Sequence, residues 1–127
     1  MSETSNEEQR EKLEEAFAEL KEKLRKFNAD SFQKLVDKGI VKDGGRCWKY
    51  TLQHELENHN DKIDPEILSV SKQLRVKHIR ASSKHEGVDR MFHLICAMCG
   101  VDAGILDRAH ADDFDNLMMI VDYISGN

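Results

Sequence analysis

The hydrophobic positions near the start of the chain recur at helical spacing within a highly charged sequence. Leu13, Phe17, Leu20, Leu24 and Phe27 follow one another at steps of four and three, which places them on one narrow face of an α-helix. The other positions are dense in Glu and Lys. The pattern therefore predicts a charged amphipathic helix whose apolar stripe docks on another helix, in the same chain or in a partner. Self-association through the stripe is one alternative.

A second short helix is predicted after a break at residues 28–31. Asn28 and Ser31 are residue types that favour helix N-caps. Phe32 and Leu35 then share a face before Gly39, which suits a C-cap. We therefore distinguish a charged N-terminal helical segment, 1–39, from the following part, 40–127, and expect one cooperative core.

In the next part of the chain, the spacing of hydrophobic residues shifts toward two residues, which is typical of a β-strand. A turn signal at Asp43-Gly44-Gly45 precedes the β-prone residues 47–52. A polar turn at 57–61 leads to 62–70, where Pro65 restricts pairing to a sheet edge or a strand end. This pattern predicts a β-hairpin or small β-ribbon.

Helical spacing returns after Ser71. A short segment is followed by the clearest core helix, 88–99, which Gly100 ends, and by a short turn that Asp102 opens. A final helix begins at Ala111. The predicted fold is mainly α: a small helical domain with a short β-hairpin or ribbon between an N-terminal helix pair and a C-terminal helical core.

Composition and charge narrow the functional classes. The 127 residues suit one core, and a charged share of 34% is typical of long, solvated helices. A net charge of −5 argues against a nucleic-acid binder that relies on overall positive charge. The N-terminus is polar and acidic, and no apolar run has the length of a membrane span, so we expect a cytosolic protein with reduced cysteines and no membrane contact.

Charge is unevenly distributed in the second half. Residues 71–90 carry a net charge of +4, whereas 101–127 carry −5. The charges of the two segments could be solvated or pair with each other within the fold, or the two segments could offer faces to protein partners. A nucleic-acid site is the weaker interpretation, because 71–90 contains no aromatic residue for stacking.

The cysteines and histidines of the sequence match no enzyme motif. Cys96 and Cys99 follow His93 with metal-like spacing, but one C-x-x-C pair inside an apolar helix lacks the four ligands of a structural zinc site. We interpret these cysteines as core residues. The six histidines fall in no nucleophile, metalloprotease or phosphate-binding motif. The sequence therefore predicts no enzymatic activity and assigns no catalytic, cofactor-binding or metal-binding residue.

Several short motifs follow one another in the second half. An extended segment, 63–70, leads to Leu74-Arg75, and the core helix ends in Met98-Cys99-Gly100-Val101. Leu106-Asp107 then precedes Asp112-Asp113-Phe114 and Leu117. In this order, residues 47–124 resemble the tail assembly chaperones of Mu-like and P2-like contractile-tailed bacteriophages. The long charged N-terminal helix departs from that family's pattern.

The resemblance implies a chaperone in the host bacterial cytoplasm that binds the tape-measure protein and tail-tube subunits during virion assembly. Apolar and Met-rich helix faces adapt to varied partners. The candidate partner-binding residues are Leu13, Phe17, Leu20, Leu24, Leu117, Met118 and Met119, for each of which burial in the core is the alternative. Two other functions stay open: a structural subunit of a phage tail or tail-like injection machine, and a small nucleic-acid-binding regulator that uses 71–90.

Overall fold

The computed structural model describes residues 3–57 and 66–126, with side chains described from residue 6 onward. These residues form five α-helices and one three-stranded antiparallel sheet. The elements in chain order are α1 (Glu3–Asp37), β1 (Val41–Asp43), β2 (Cys47–Thr51), β3 (Ile67–Ser71), α2 (Val76–Ser82), α3 (Gly87–Cys99), α4 (Ala103–Asp107) and α5 (Ala111–Ile124). The predicted mainly α fold with a short β element is confirmed.

The N-terminal segment is one helix rather than two. The predicted break at 28–31 is wrong, since α1 continues through it to Asp37. Tertiary packing of the last turns, where Asn28, Phe32 and Leu35 are buried, outweighs the local preference of Asn and Ser for caps. The predicted end at Gly39 is confirmed: this residue has a φ of 75° and its N–H donates to the Val36 carbonyl.

The sheet has the order β1-β2-β3, with both pairs antiparallel. Val41 lies opposite Tyr50 in the first pair, and Cys47 lies opposite Ser71 in the second. The sequence pattern missed β1, which has only three residues. The strand predicted over 62–70 is confirmed from Ile67 onward; residues 58–65, including most of the predicted polar turn, lie outside the described residues.

The core lies where the end of α1, the sheet, α3 and α5 meet. Phe32 of α1 stacks on Tyr123 of α5 with ring centroids 4.3 Å apart, and Trp48 of β2 packs edge-on against it at 5.0 Å. The end of the 1–39 segment is thus part of the same core as the rest of the chain. Buried hydrophobic members include Phe32, Leu35, Val41, Tyr50, Leu68, Val70, Ile95, Cys96, Met98, Leu106, Leu117, Ile120 and Val121.

The C-terminal helices follow the sequence prediction closely. Gly100 ends α3 in the left-handed conformation, with a φ of 65°. The Asp102 carboxylate accepts the N–H of Ile105 at 3.1 Å and so caps α4. The last helix begins at Ala111 as predicted. Among the described residues, no helix combines the length and the apolar character that crossing a membrane requires.

Candidate functional site

The first six turns of α1 stand free of the core. Every residue from 6 to 27 is exposed, and these include five large apolar side chains that share one helix face. We call this face the α1 stripe. Its members and their exposed fractions are Leu13 58%, Phe17 59%, Leu20 60%, Leu24 48% and Phe27 64%. The alternative that these candidate residues are buried in the core is therefore wrong for Leu13, Phe17, Leu20 and Leu24.

The spacing of the α1 stripe is that of a coiled-coil seam. Steps of four, three, four and three give two heptads in which every a and d position is Leu or Phe. Complete burial of such a side chain stabilises by about 1.5–3 kcal/mol, and roughly half of each remains exposed. A partner that covered all five would therefore gain about 4–8 kcal/mol from apolar burial before the costs of association.

A contact at the base of the exposed part ties α1 to the C-terminus. The Arg25 Nε donates to the Gly126 carbonyl at 2.9 Å, close to the point where α1 enters the core. Arg25 also lies 3.8 Å from the Glu22 carboxylate, an exposed i,i+3 pair that contributes little to stability. The stripe is thus carried on a helix with an anchored end, which limits the entropy lost when a partner binds.

The other candidate residues are less accessible. Leu117 is fully buried, so its prediction as a partner contact is wrong. It faces inward because α5 packs against both α1 and α3 and this residue lies on the packed side. Met118 and Met119 are half-buried and pack against the core, which leaves only part of each side chain for a partner.

A buried carboxylate joins β2 to α5; in the sequence it was named only within the motif Asp112-Asp113-Phe114. Asp113 is fully buried and accepts the Tyr50 hydroxyl at 2.5 Å and the backbone N–H groups of Gln53 and His54 at 2.9 and 3.1 Å. Asn116 Nδ2 donates to the Tyr50 hydroxyl oxygen at 3.0 Å. Burial, reinforced by the bond to Asp113, raises the Tyr50 pKa far above its ordinary value.

Four of the six histidines lie in two clusters that sequence reasoning missed. The ring of His54 stacks on that of His110 at 3.8 Å beside Asp112. His85 and His93 stack at 3.6 Å beside Asp89. Only the second cluster has a sequence signal, the regular four-residue spacing of 85, 89 and 93.

Cys96 and Cys99 behave as core residues. Cys96 is buried and all three cysteines are free thiols, which confirms the interpretation of Cys96 as a small core residue. Burial raises the pKa of Cys96 to about 11 and that of Cys99 to about 12. Thiols with such pKa values are poor nucleophiles at neutral pH.

Part of the positively charged segment 71–90, together with Arg46, lines a groove beside the sheet. Arg46, Lys72, Arg75 and Lys77 contribute to a cavity of about 530 Å³. The Lys72 ammonium lies 2.6 Å from the Asp43 carboxylate and 4.3 Å from the centre of the Trp48 ring. This lysine is therefore paired within the fold, but with Asp43 and not with the acidic segment 101–127, and its hydrogen bond lowers the Asp43 pKa.

Comparison with known proteins adds no assignment to these features. The chain matches no protein-family model, no curated protein and no solved structure.

Proposed function

We propose that this protein is a non-enzymatic binding protein that holds a helix of another protein against the α1 stripe. The observation that carries the proposal is the exposure of five large apolar side chains at a/d spacing on a helix with an anchored end. Contiguous apolar surface of this kind is typical of interaction sites. Helix pairing through i, i+3, i+4 and i+7 anchors is one of the common modes of recognition.

The partner in this proposal is the tape-measure protein of a contractile-tailed phage, bound in the host cytoplasm before tail-tube subunits are recruited. A long, helix-rich chain with apolar stretches aggregates unless it is covered during assembly, and many copies of a small helical protein would cover it. The stripe supports a helical partner of any origin. The choice of a tape-measure protein rests on the order of short motifs in 47–124.

A second copy of the chain is the second candidate occupant. Glu14 and Lys21 flank the stripe on the same side, one heptad apart, at the e positions of the seam. If two copies paired antiparallel with Phe17 opposite Leu20, Glu14 of each copy would lie beside Lys21 of the other. This complementarity favours antiparallel self-pairing over the parallel arrangement, which brings no opposite charges together at these positions.

The test is co-expression with the tape-measure candidate, followed by pull-down and a solubility assay. Leu20→Glu places one charge in the centre of the stripe. Ala18→Glu adds the same charge to an exposed position on the opposite side of the helix and serves as the matched control. We expect the wild type and Ala18→Glu to retain and solubilise the partner, and Leu20→Glu to lose it, because a buried unpaired carboxylate is strongly unfavourable.

The molar mass of the purified chain in solution distinguishes the two candidate partners of the α1 stripe, the tape-measure protein and a second copy of the chain. If the stripe binds a different protein, light scattering on the purified chain alone should give the mass of a monomer. A dimer that Leu20→Glu dissociates, with no capture of the long protein, would favour the second copy. Capture that Leu20→Glu leaves intact would contradict the α1 stripe as the surface that binds the long protein. Finding the chain in purified particles would favour the structural-subunit function over the chaperone.

A further inference from the structure

The start of α3 brings together two imidazoles and a carboxylate that are regularly spaced in the sequence. His85 and His93 are eight residues apart, a distance of about 12 Å along a regular helix axis. His85 instead precedes α3, and Gly87 has a φ of 59°, in the left-handed region that favours glycine. The resulting bend folds His85 back, so that its ring stacks on His93 with centroids 3.6 Å apart.

The carboxylate of Asp89 lies against both rings. Its Oδ2 is 2.8 Å from His85 Nδ1, and its Oδ1 is 3.5 Å from His93 Nε2. One ligand atom from each of the three residues lies within 4.8 Å of the other two. Ligand atoms around a tetrahedral zinc ion, with bonds of about 2.0–2.2 Å, are separated by roughly 3.3–3.6 Å. The two rings are stacked with their planes only 12° apart, so they must turn out of this stack before both ring nitrogens face one ion.

We propose that His85, Asp89 and His93 form a binding site for a divalent transition-metal ion of the zinc type. Two neutral imidazoles and one carboxylate are a donor set that zinc accepts in three-ligand sites, whereas Mg²⁺ and Ca²⁺ prefer oxygen ligands. The two histidine side chains are 32% and 28% exposed, so an ion can reach them from solvent. This site lies at the start of α3 and does not depend on the α1 stripe.

The surroundings support the ring of His93 and leave room for a fourth ligand. Phe92 packs edge-on against this ring, with centroids 5.3 Å apart. Asp89 and His93 also line a groove of about 460 Å³, to which Phe92, Asp107 and Phe114 contribute. A three-ligand zinc site keeps its fourth position for water or an added ligand, and the groove can accommodate either.

The second histidine cluster is the natural internal control. His54 and His110 are more exposed, at 43% and 48%. His110 Nδ1 already accepts the backbone N–H of Asp112 at 3.0 Å, which caps α5 and occupies one of its two ring nitrogens. Its contact with the Asp112 carboxylate is also longer, at 3.7 Å. This cluster is less suited to hold an ion.

The proposal is tested by calorimetric titration of the tag-free full chain with zinc chloride. We expect one tight site in the wild type and in the His54→Ala/His110→Ala double variant. His85→Ala, which lies outside the helix, and Asp89→Asn should each weaken binding by roughly tenfold or more, since even loss of a group that orients a ligand costs about 10–100-fold. Circular dichroism confirms that each variant is folded.

A cobalt titration identifies the ligand atoms. We expect visible absorption bands of nitrogen and oxygen coordination without a thiolate charge-transfer band. A thiolate band would assign the ion to the cysteines and overturn the proposal. So would the absence of zinc binding at about 100 µM, undiminished affinity in His85→Ala, or loss of binding in the His54→Ala/His110→Ala variant alone.

Discussion

The hydrogen bonds to Asp113 should make this residue far more important for stability than its exposed neighbour Asp112. Replacement of Asp113 by Ala leaves three donors without their charged acceptor: the Tyr50 hydroxyl and the N–H groups of Gln53 and His54. A hydrogen bond to a charged group contributes about 1.5–3 kcal/mol, and a buried donor left without its acceptor costs about 1–3 kcal/mol. Because three donors lose their acceptor, we expect the free energy of unfolding to fall by about 3 kcal/mol or more.

Asp112→Ala is the matched control because Asp112 and Asp113 both lie in the first turn of α5. Both substitutions remove a favourable interaction with the helix dipole, worth about 0.3–1 kcal/mol. Only Asp113 is buried, whereas the side chain of Asp112 is 69% exposed. The expected cost of Asp112→Ala is therefore at most about 1 kcal/mol.

Urea unfolding followed by Trp48 fluorescence and circular dichroism measures both values. If Asp113→Ala is too unstable to study, Asp113→Asn retains one acceptor oxygen and should cost about 1–3 kcal/mol. A double-mutant cycle with Tyr50→Phe should give a coupling energy of about 1 kcal/mol or more. Equal losses in Asp113→Ala and Asp112→Ala, or no coupling to Tyr50, would refute the proposed network.

Three further predictions concern titratable groups. The Tyr50 pKa is raised above its ordinary value of 10.0, so the protonated hydroxyl stabilises the folded protein below pH 10, and this stabilisation should be lost as the pH rises further. Melting curves measured at alkaline pH should therefore depend less on pH in Tyr50→Phe than in the wild type. The His78 pKa is lowered from 6.5 chiefly by burial, and its Nδ1 accepts the Arg75 N–H at 3.0 Å, so stability should fall as the pH decreases below about 6.5. His78→Gln preserves an acceptor at this position and should reduce that acid sensitivity in urea titrations, whereas unchanged sensitivity would exclude His78 as its source. Because the Cys96 pKa is about 11 instead of 9.0, the folded protein has roughly one hundredth as much Cys96 thiolate at pH 8 as the unfolded chain. A thiol reagent should therefore label Cys96 roughly 100-fold more slowly in the folded chain than in denaturant, as measured by mass spectrometry. Similar labelling rates would contradict the burial of Cys96.

The sequence predicted the elements that local signals define. Gly39 and Gly100 end helices because their left-handed conformations suit glycine, and Asp102 caps α4 through a bond only three residues away. The apolar spacing of α3 and α5 was equally informative. Signals of this kind act within one or two turns, so they can be read from a single sequence.

The predictions that failed depend on contacts between distant residues. The capping preferences at 28–31 were overridden because Phe32 packs against Trp48 and Tyr123. The stripe itself was predicted, but its exposure could not be, since an amphipathic helix has the same pattern whether its face is covered by its own chain or by a partner. The role of Asp113 likewise depends on Tyr50, which is 63 residues away in sequence.

Hydrogen–deuterium exchange on the co-purified complex tests the central claim most directly, because it locates the partner on the chain. Residues 6–27 are exposed throughout, so their amides should exchange faster in the free protein than those of the buried part of α5. We expect the partner to slow exchange across the turns that carry Leu13 to Phe27 while α5 is unchanged. Protection confined to another surface, such as the groove around Arg46 and Lys77, with α1 still exchanging at its free rate, would contradict the account.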